Sequence, residues 1–129
     1  MNPPLVLAPF PEALASLEKI LQIAGEDIVR DATIHRFEYT YELAWKMIKR
    51  HLDWLGVSDT NGLSRRELFR LAAEMRLIGD AGVWFEYNQA RNQTVHAYGI
   101  AVANEVYATA RRFAADARLL LRELQKHPA

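Results

Sequence analysis

The chain has 129 residues, of which half are hydrophobic and a quarter charged, and its 16 basic side chains balance its 16 acidic ones. This length fits one compact domain, and the charge balance excludes a global field that draws the protein to nucleic acid. Because the chain has no cysteine, disulfides, thiolate zinc sites and cysteine nucleophiles are excluded. No apolar run reaches the length of a membrane span, and the proline-broken N-terminus does not resemble a signal peptide, so we expect a cytoplasmic protein.

The first half of the chain predicts two helices. In residues 11–24, Leu14, Leu17 and Leu21 recur at helical spacing, and a glycine at 25 ends the pattern. A long second helix is predicted over residues 27–55, and Gly56 ends it. Its apolar stripe consists of Ile34, Phe37, Tyr41, Ala44, Ile48, Leu52 and Leu55.

The second half predicts three more helices. Ser64 and Glu67 form a capping-box sequence that opens a short helix, with Leu68, Leu71 and Met75 inward and Gly79 at its close. Asp80 can cap a fourth helix over residues 81–92, and the last helix covers residues 100–126. The last helix has a regular apolar seam of Ala103, Val106, Ala110, Phe113, Ala117, Leu120 and Leu124. These elements predict one all-α domain over residues 1–129, an antiparallel up-and-down bundle of four long helices and a short one, preceded by an irregular segment at residues 1–10.

Arg91 and His96 belong to a polar segment that follows an aromatic helix. Five positions are about 500° of helical rotation, so one continuous helix could not place both on one face. The β-branched Thr94 and Val95 predict that the helix ends here, with Arg91 on its last turn and His96 in the connection. A guanidinium can bind a phosphate through two parallel hydrogen bonds, and an imidazole can accept and donate protons near neutral pH. The pair could therefore perform phosphodiester chemistry without a metal. Alternatively, Arg91 tethers the last carbonyls of its helix and His96 is an ordinary loop residue.

Glu38 and Glu42 lie one turn apart on the second helix, and Lys46 lies one turn further. They form either an exposed ladder of charge or an acidic face that orients Arg91 or His96 from across the bundle. The spacing of His35, Glu38 and Glu42 could also suggest a metal, but a di-iron bundle needs a second, matching set of ligands, which the sequence lacks. We therefore expect no metal and no cofactor.

Two further groups of residues have alternative interpretations. The aromatic residues at helical spacing favour a core over a base-stacking platform; they are Phe37, Tyr41, Trp45, Trp54, Trp84 and Phe113. The basic residues of the last helix form either a solvated face or a rim that contacts phosphate; they are Arg111, Arg112, Arg118 and Arg122.

Two long motifs give the chain a resemblance to a known family. Residues 31–46, DATIHRFEYTYELAWK, resemble the R-F-E-Y-(T/S)-(F/Y)-E-L-A-W-K signature of the nucleotidyltransferase substrate-binding protein family. The sequence from Arg91 and Asn92 through His96 to Tyr98 follows in that family's order. This family is part of the HEPN superfamily of small helical bundles, and it resembles the toxin half of MNT/HEPN toxin–antitoxin pairs.

The resemblance implies roles for individual residues. The R-x4-H motif of HEPN ribonucleases corresponds to Arg91 and His96 as catalytic residues, with Asn92 at the polar substrate-binding position. Glu38 and Glu42 remain candidates for supporting acidic residues because of their spacing on the second helix. The R-x4-H-x-Y extension corresponds to Tyr98, to which a partner nucleotidyltransferase transfers AMP to silence the toxin. The resemblance also implies a homodimer, a minimal nucleotidyltransferase partner and RNA as the substrate. Where the family commonly has an acidic or capping residue after the tyrosine, this chain has Gly99.

Three functions remain open at this point. The chain is a metal-independent, toxin-type ribonuclease, a non-catalytic subunit that presents substrate or a tyrosine to a nucleotidyltransferase, or a plain helical dimerisation module. The presence of all four motif residues favours the first.

Overall fold

The computed structural model describes residues 7–23, 25, 27–56, 59–94 and 99–126. Five α-helices make up most of these residues: α1 (Phe10–Leu21), α2 (Asp27–Leu55), α3 (Arg65–Glu74), α4 (Ala81–Gln93) and α5 (Ile100–Gln125). A short 3-10 turn, Thr60–Gly62, lies between α2 and α3. The all-α fold with four longer helices and a short one is as predicted.

Helices α1 and α2 form an antiparallel hairpin. The hydroxyl of Thr40 donates to the carbonyl of Ala13 at 3.2 Å, and Arg36 Nη1 donates to the carbonyl of Ser16 at 2.9 Å. Because the later residue of α1 contacts the earlier residue of α2, the two helices run in opposite directions.

Helix α5 lies against α1 and α2. Arg30 of α2 contacts Asn104 near the start of α5, and the rings of Phe37 and Phe113 lie 5.2 Å apart further along, so α2 and α5 run in the same direction. Trp84 near the start of α4 shares a cavity wall with Leu120, whereas Glu86, later in α4, pairs with Arg112, earlier in α5, so α4 runs opposite to α5. Successive long helices therefore alternate in direction, as an up-and-down bundle requires.

The core is centred on the ring of Phe113, which is fully buried. Four other aromatic rings lie within 6.1 Å of it between centroids, those of Phe37, Tyr41, Trp84 and Tyr87. All seven seam residues predicted for the last helix are buried. The predicted stripe of α2 is also buried, except for Leu55, which is 37% exposed at the helix end.

The end of α3 differs from the prediction. The helix ends at Glu74 because Arg76 adopts the left-handed conformation (φ 60°), and the amide of Leu77 donates to the carbonyl of Ala72 at 2.9 Å. This is a Schellman cap formed without glycine. The prediction that Gly79 closes the helix and that Met75 faces inward was wrong, since Met75 is 42% exposed.

The predicted N-terminal caps of α3 and α4 are confirmed. Ser64 Oγ accepts from the amide of Glu67 at 3.1 Å while the Glu67 carboxylate accepts from the amide of Ser64 at 3.0 Å, which completes the capping box. Asp80 accepts from the amide of Gly82 at 2.8 Å and caps α4. Helix α1 is shorter than predicted, since it ends at Leu21.

Candidate functional site

Arg91 lies on the last turn of α4, as the sequence predicts. The helix ends at Gln93, and the hydroxyl of Thr94 donates to the carbonyl of Arg91 at 2.6 Å. The position favours a cation, since a helix C-terminus carries partial negative charge. Among the described residues, the Arg91 guanidinium donates to the Thr94 hydroxyl (Nη1, 3.4 Å) and to no carbonyl of its helix, so these contacts do not show it tethering the helix end.

The guanidinium of Arg91 points towards Glu42 on α2. Arg91 Nε lies 3.4 Å from Glu42 Oε1, and the two side chains are only 22% and 34% exposed. Nε is buried and makes no well-formed hydrogen bond with a described residue, so the contact is mainly a charge interaction. Of the two interpretations of the acidic residues on α2, the structure supports the orienting face for Glu42.

Glu42 is itself held in place by Trp45. The indole Nε1 of Trp45 donates to Glu42 Oε2 at 2.9 Å, so the two carboxylate oxygens serve different partners. The Arg65 guanidinium lies over the Trp45 ring, 3.6 Å from its centroid, in the geometry of a cation–π contact. Trp45 is thus fixed on both its edge and its face.

A buried phenol extends this arrangement towards the core. Tyr41 donates to Asn88 Oδ1 at 2.7 Å, and Arg65 Nη1 donates to the Tyr41 oxygen at 3.1 Å. Burial raises the pKa of Tyr41 to about 12, although the Arg65 guanidinium opposes this shift. The phenol therefore stays protonated at neutral pH and acts as a fixed donor. We call the connected residues the polar cluster; they are Tyr41, Glu42, Trp45, Arg65, Asn88 and Arg91.

The other predicted site residues lie outside the polar cluster or outside the described part of the chain. Asn92 is exposed on α4, next to Arg91. Glu38 is half-buried one turn before Glu42, and it forms no ion pair or hydrogen bond with another described residue. His96 and Tyr98 lie outside the described residues, so their place relative to Arg91 stays a prediction. The residue after them, Gly99, is the N-cap of α5 and makes no side-chain cap.

Sequence reasoning misses four members of the cluster. Tyr41 and Trp45 are predicted only as core residues, and neither Arg65 nor Asn88 is singled out. A signal was present in the spacing, since Trp45 follows Glu42 by three positions and Asn88 precedes Arg91 by three, which places each pair on one helix face.

Most of the basic residues of α5 form ion pairs or hydrogen bonds with other residues of the chain. Arg118 Nε donates to Glu18 Oε2 of α1 at 3.0 Å, and Arg112 lies 3.5 Å from Glu86 of α4. Arg111 Nη2 donates to the Tyr107 hydroxyl at 3.0 Å. These contacts favour a structural role for the face over a free rim for phosphate.

Neither metal clusters nor membrane spans occur in the part of the chain that the structure describes. No three His, Asp or Glu side chains there lie close enough together to hold a metal ion. None of the helices in the described ranges combines the length and the apolar character that a membrane span requires.

Known structures share this architecture along nearly the whole chain. A Haemophilus influenzae protein, described as having the fold of a substrate binding domain of a nucleotidyltransferase, matches with a TM-score of 0.83 and 30% identity over 93% of this chain and 99% of that one. A crystal structure of a Thermus thermophilus protein matches with a TM-score of 0.80 and 30% identity, over 89% of this chain and 98% of that one. The class defined by the fold is thus a small all-helical bundle of this type.

The sequence comparisons identify the family. Over 103 residues the chain is 34% identical to a probable ribonuclease HepT of Haemophilus influenzae, and the match covers 78% of this chain and 70% of the relative. Residues 5–126 match the family described as nucleotidyltransferase substrate binding protein like, and the chain belongs to that family. The family predicted from the two motifs is confirmed.

Proposed function

We propose that this protein is a metal-independent endoribonuclease of the toxin type, paired with a minimal nucleotidyltransferase. The observation that carries the proposal is the ion pair between Arg91 and Glu42, which holds the motif arginine at the end of α4. The relative named as a probable ribonuclease HepT supports the same activity.

In the proposed reaction Arg91 stabilises the charge that develops on the scissile phosphate. Its Nε faces Glu42 and its Nη1 lies 3.4 Å from the Thr94 hydroxyl, while Nη2 makes no hydrogen bond with a described residue. A preorganised cation of this kind lowers the barrier because it needs no rearrangement as the charge forms. Glu42 contacts Arg91 and not the RNA, so it is a positioning residue.

The proton transfers are assigned to His96, by resemblance to the HEPN ribonucleases. One imidazole accepts the proton of a ribose 2′-hydroxyl, and the 2′-oxygen attacks phosphorus. The bond from phosphorus to the 5′-oxygen breaks, and a second imidazolium protonates that oxygen. The products are a 2′,3′-cyclic phosphate and a free 5′-hydroxyl. Two imidazoles are required, so we also propose a homodimer that brings two copies of His96 to one linkage.

Regulation would act on Tyr98. We propose that the partner transfers AMP from a nucleoside triphosphate to the Tyr98 hydroxyl, with release of pyrophosphate. The added phosphodiester carries negative charge and bulk close to the motif, where it competes with RNA phosphate for Arg91.

A second candidate is a non-catalytic subunit of a nucleotidyltransferase. It is favoured by the Haemophilus influenzae structure, which is described as a substrate binding domain. The two functions differ in a simple respect: a nuclease requires His96 to exchange protons, whereas a binding subunit does not.

The decisive experiment is RNA cleavage by the purified protein in excess chelator. Wild type should release fragments with a cyclic phosphate end, and His96→Ala and Arg91→Gln should both abolish cleavage while retaining the helical fold by circular dichroism. Arg118→Gln is the matched control, because Arg118 also pairs with a glutamate, Glu18 of α1, but lies outside the polar cluster. If wild type leaves varied RNAs intact without its partner, the binding-subunit function replaces this one.

The switch is tested separately by intact mass. After co-expression with the partner, wild type should gain the mass of one AMP group for each chain and Tyr98→Phe should gain none. Modification that persists in Tyr98→Phe would contradict the proposed acceptor.

A further inference from the structure

A polar cavity lies between α3 and α4, beside the helix turn that carries Arg91. Its volume is about 430 Å³, and its wall includes Arg66, Phe69, Phe85, Asn88, Gln89 and Asn92. Pockets that hold small ligands have volumes of about 300–1,000 Å³, so this one is large enough for a nucleotide.

The cavity shares an edge with the candidate site. Phe85, Asn88, Gln89 and Asn92 recur at steps of one and three along α4, so one helix face forms this wall. Asn92 directly follows Arg91 in sequence, and Asn88 belongs to the polar cluster. A ligand in the cavity is therefore next to Asn88, which belongs to the same polar cluster as Arg91.

Amide side chains supply hydrogen-bonding groups for the edge of a base. Asn88 Oδ1 accepts from Tyr41 at 2.7 Å and lies 3.3 Å from Arg65 Nη1, which fixes the orientation of the amide. Gln89 and Asn92 are both exposed at the cavity wall. Asn and Gln amides pair a donor and an acceptor with the complementary groups on a nucleobase edge.

A guanidinium that lies on an aromatic ring supplies the stacking surface. Arg66 lies over the Phe85 ring with its Cζ 4.6 Å from the centroid, and Arg70 lies 5.6 Å from the same centroid. Bases stack on aromatic rings and on guanidinium planes, and arginine also binds phosphate. Glu86, which also lines the cavity, is 3.5 Å from Arg112, so that cation offsets its charge.

We propose that this cavity binds one nucleotide, with the base stacked on the Arg66 guanidinium, which the Phe85 ring supports from beneath, and its edge bound by Gln89 and Asn92. The inference rests on the proposed function, which makes the nucleotide a unit of the RNA that is positioned next to Arg91. A free nucleotide has the same chemistry, and the test below separates the two sources.

The test measures binding without cleavage. A fluorescent RNA hexamer of mixed sequence with 2′-O-methyl riboses cannot be cut by attack of a 2′-hydroxyl, so its anisotropy reports affinity alone. Arg66→Gln and Gln89→Ala should each raise the Kd about tenfold, the size expected for loss of one stacked or bound base. Arg50→Gln and Gln125→Ala are matched controls on exposed positions of α2 and α5 and should change the Kd by less than about twofold.

An abasic scan separates base recognition from a general structural effect. Removing the base at one position of the hexamer should weaken binding to wild type about tenfold, but should weaken binding to the Gln89→Ala variant little further. Additive losses at every position would overturn the proposal, as would variants that bind the intact hexamer as tightly as wild type. Gln89 is exposed, so its variant remains informative if Arg66→Gln lowers the melting temperature.

The source of the nucleotide is determined by titrating AMP and ATP alone. If RNA binding depends on Arg66 and Gln89, the bound nucleotide is a unit of RNA, and this holds even if wild type cleaves no RNA. If ATP binds in a manner that depends on the same two residues and the hexamer does not bind, the ligand is a free nucleotide and the nuclease proposal loses its substrate. If neither binds, the cavity is not a nucleotide site.

Discussion

The ion pair between Glu42 and Arg91 predicts a measurable coupling between α2 and α4. The variants are Glu42→Gln, Arg91→Gln and the double substitution. Glutamine at 42 keeps an oxygen that accepts from Trp45, which donates to Glu42 at 2.9 Å, so the substitution removes the charge and little else. The cycle therefore isolates the interaction between the carboxylate and the guanidinium.

The expected size follows from the distance and the exposure. Two unit charges 3.4 Å apart interact by about 1.2 kcal/mol in bulk water and by about 5 kcal/mol at an effective dielectric constant of about 20. Because Arg91 is 22% and Glu42 34% exposed, solvent screens the pair substantially. Exposed pairs contribute about 0.2–1 kcal/mol, so we expect a coupling near the upper end, about 1 kcal/mol.

The assay is urea unfolding of the four proteins at low salt. Each single variant should lose about 1 kcal/mol of unfolding free energy, and the double variant should lose little more. The pair between Glu86 and Arg112 is the control, because its side chains are 55% and 57% exposed and its coupling should fall below about 0.5 kcal/mol. Additive losses at positions 42 and 91 would refute the view that Glu42 holds Arg91.

Under the proposed function, Glu42→Gln should lower kcat more than it changes KM, since Glu42 does not contact RNA.

Three further predictions concern the bundle. Phe113→Ala should lower the unfolding free energy in urea by about 3–5 kcal/mol. Leu119→Ala, at a 55% exposed position of the same helix, is the control and should change it by less than about 0.5 kcal/mol. A loss of less than about 2 kcal/mol for Phe113→Ala would contradict the place of Phe113 at the centre of the core. Ser64→Ala should cost about 1 kcal/mol in thermal unfolding, because it removes half of the capping box, and an unchanged melting temperature would argue against that cap. Burial opposes ionisation of Asp53, but hydrogen bonds from Thr60 and Lys49 outweigh it and lower the pKa of this carboxyl below its ordinary value. The ionised Asp53 carboxylate therefore stabilises the fold fully at a pH above its ordinary pKa, and this stabilisation is lost as the pH falls through the lower pKa of the folded state. Asp53→Asn should therefore reduce the loss of unfolding free energy at acidic pH, and an unchanged loss would contradict this.

Local patterns in the sequence determined the helices and most of their ends. The seam of α5 was predicted residue by residue, because a regular alternation of three and four apolar steps has only one helical solution. The caps at Ser64 and Asp80 were also predictable, since a cap depends on groups three residues apart or fewer. The two motifs, one of them with Arg91, were sufficient to indicate the family.

Tertiary structure decided how the faces of these helices meet. Periodicity showed that Glu42 shares a face of α2 with Glu38 and Lys46. The rotation of α2 relative to α4 decided that Glu42 contacts Arg91. The same holds for Arg65, whose stacking on Trp45 depends on where the short α3 docks. The left-handed conformation of Arg76 could not be predicted from the sequence for a related reason. The conformational free energy that it costs is offset by the helix cap that it completes and by the burial of Leu77. A sequence specifies which side chains line a helix face, whereas packing of the whole bundle specifies which faces touch.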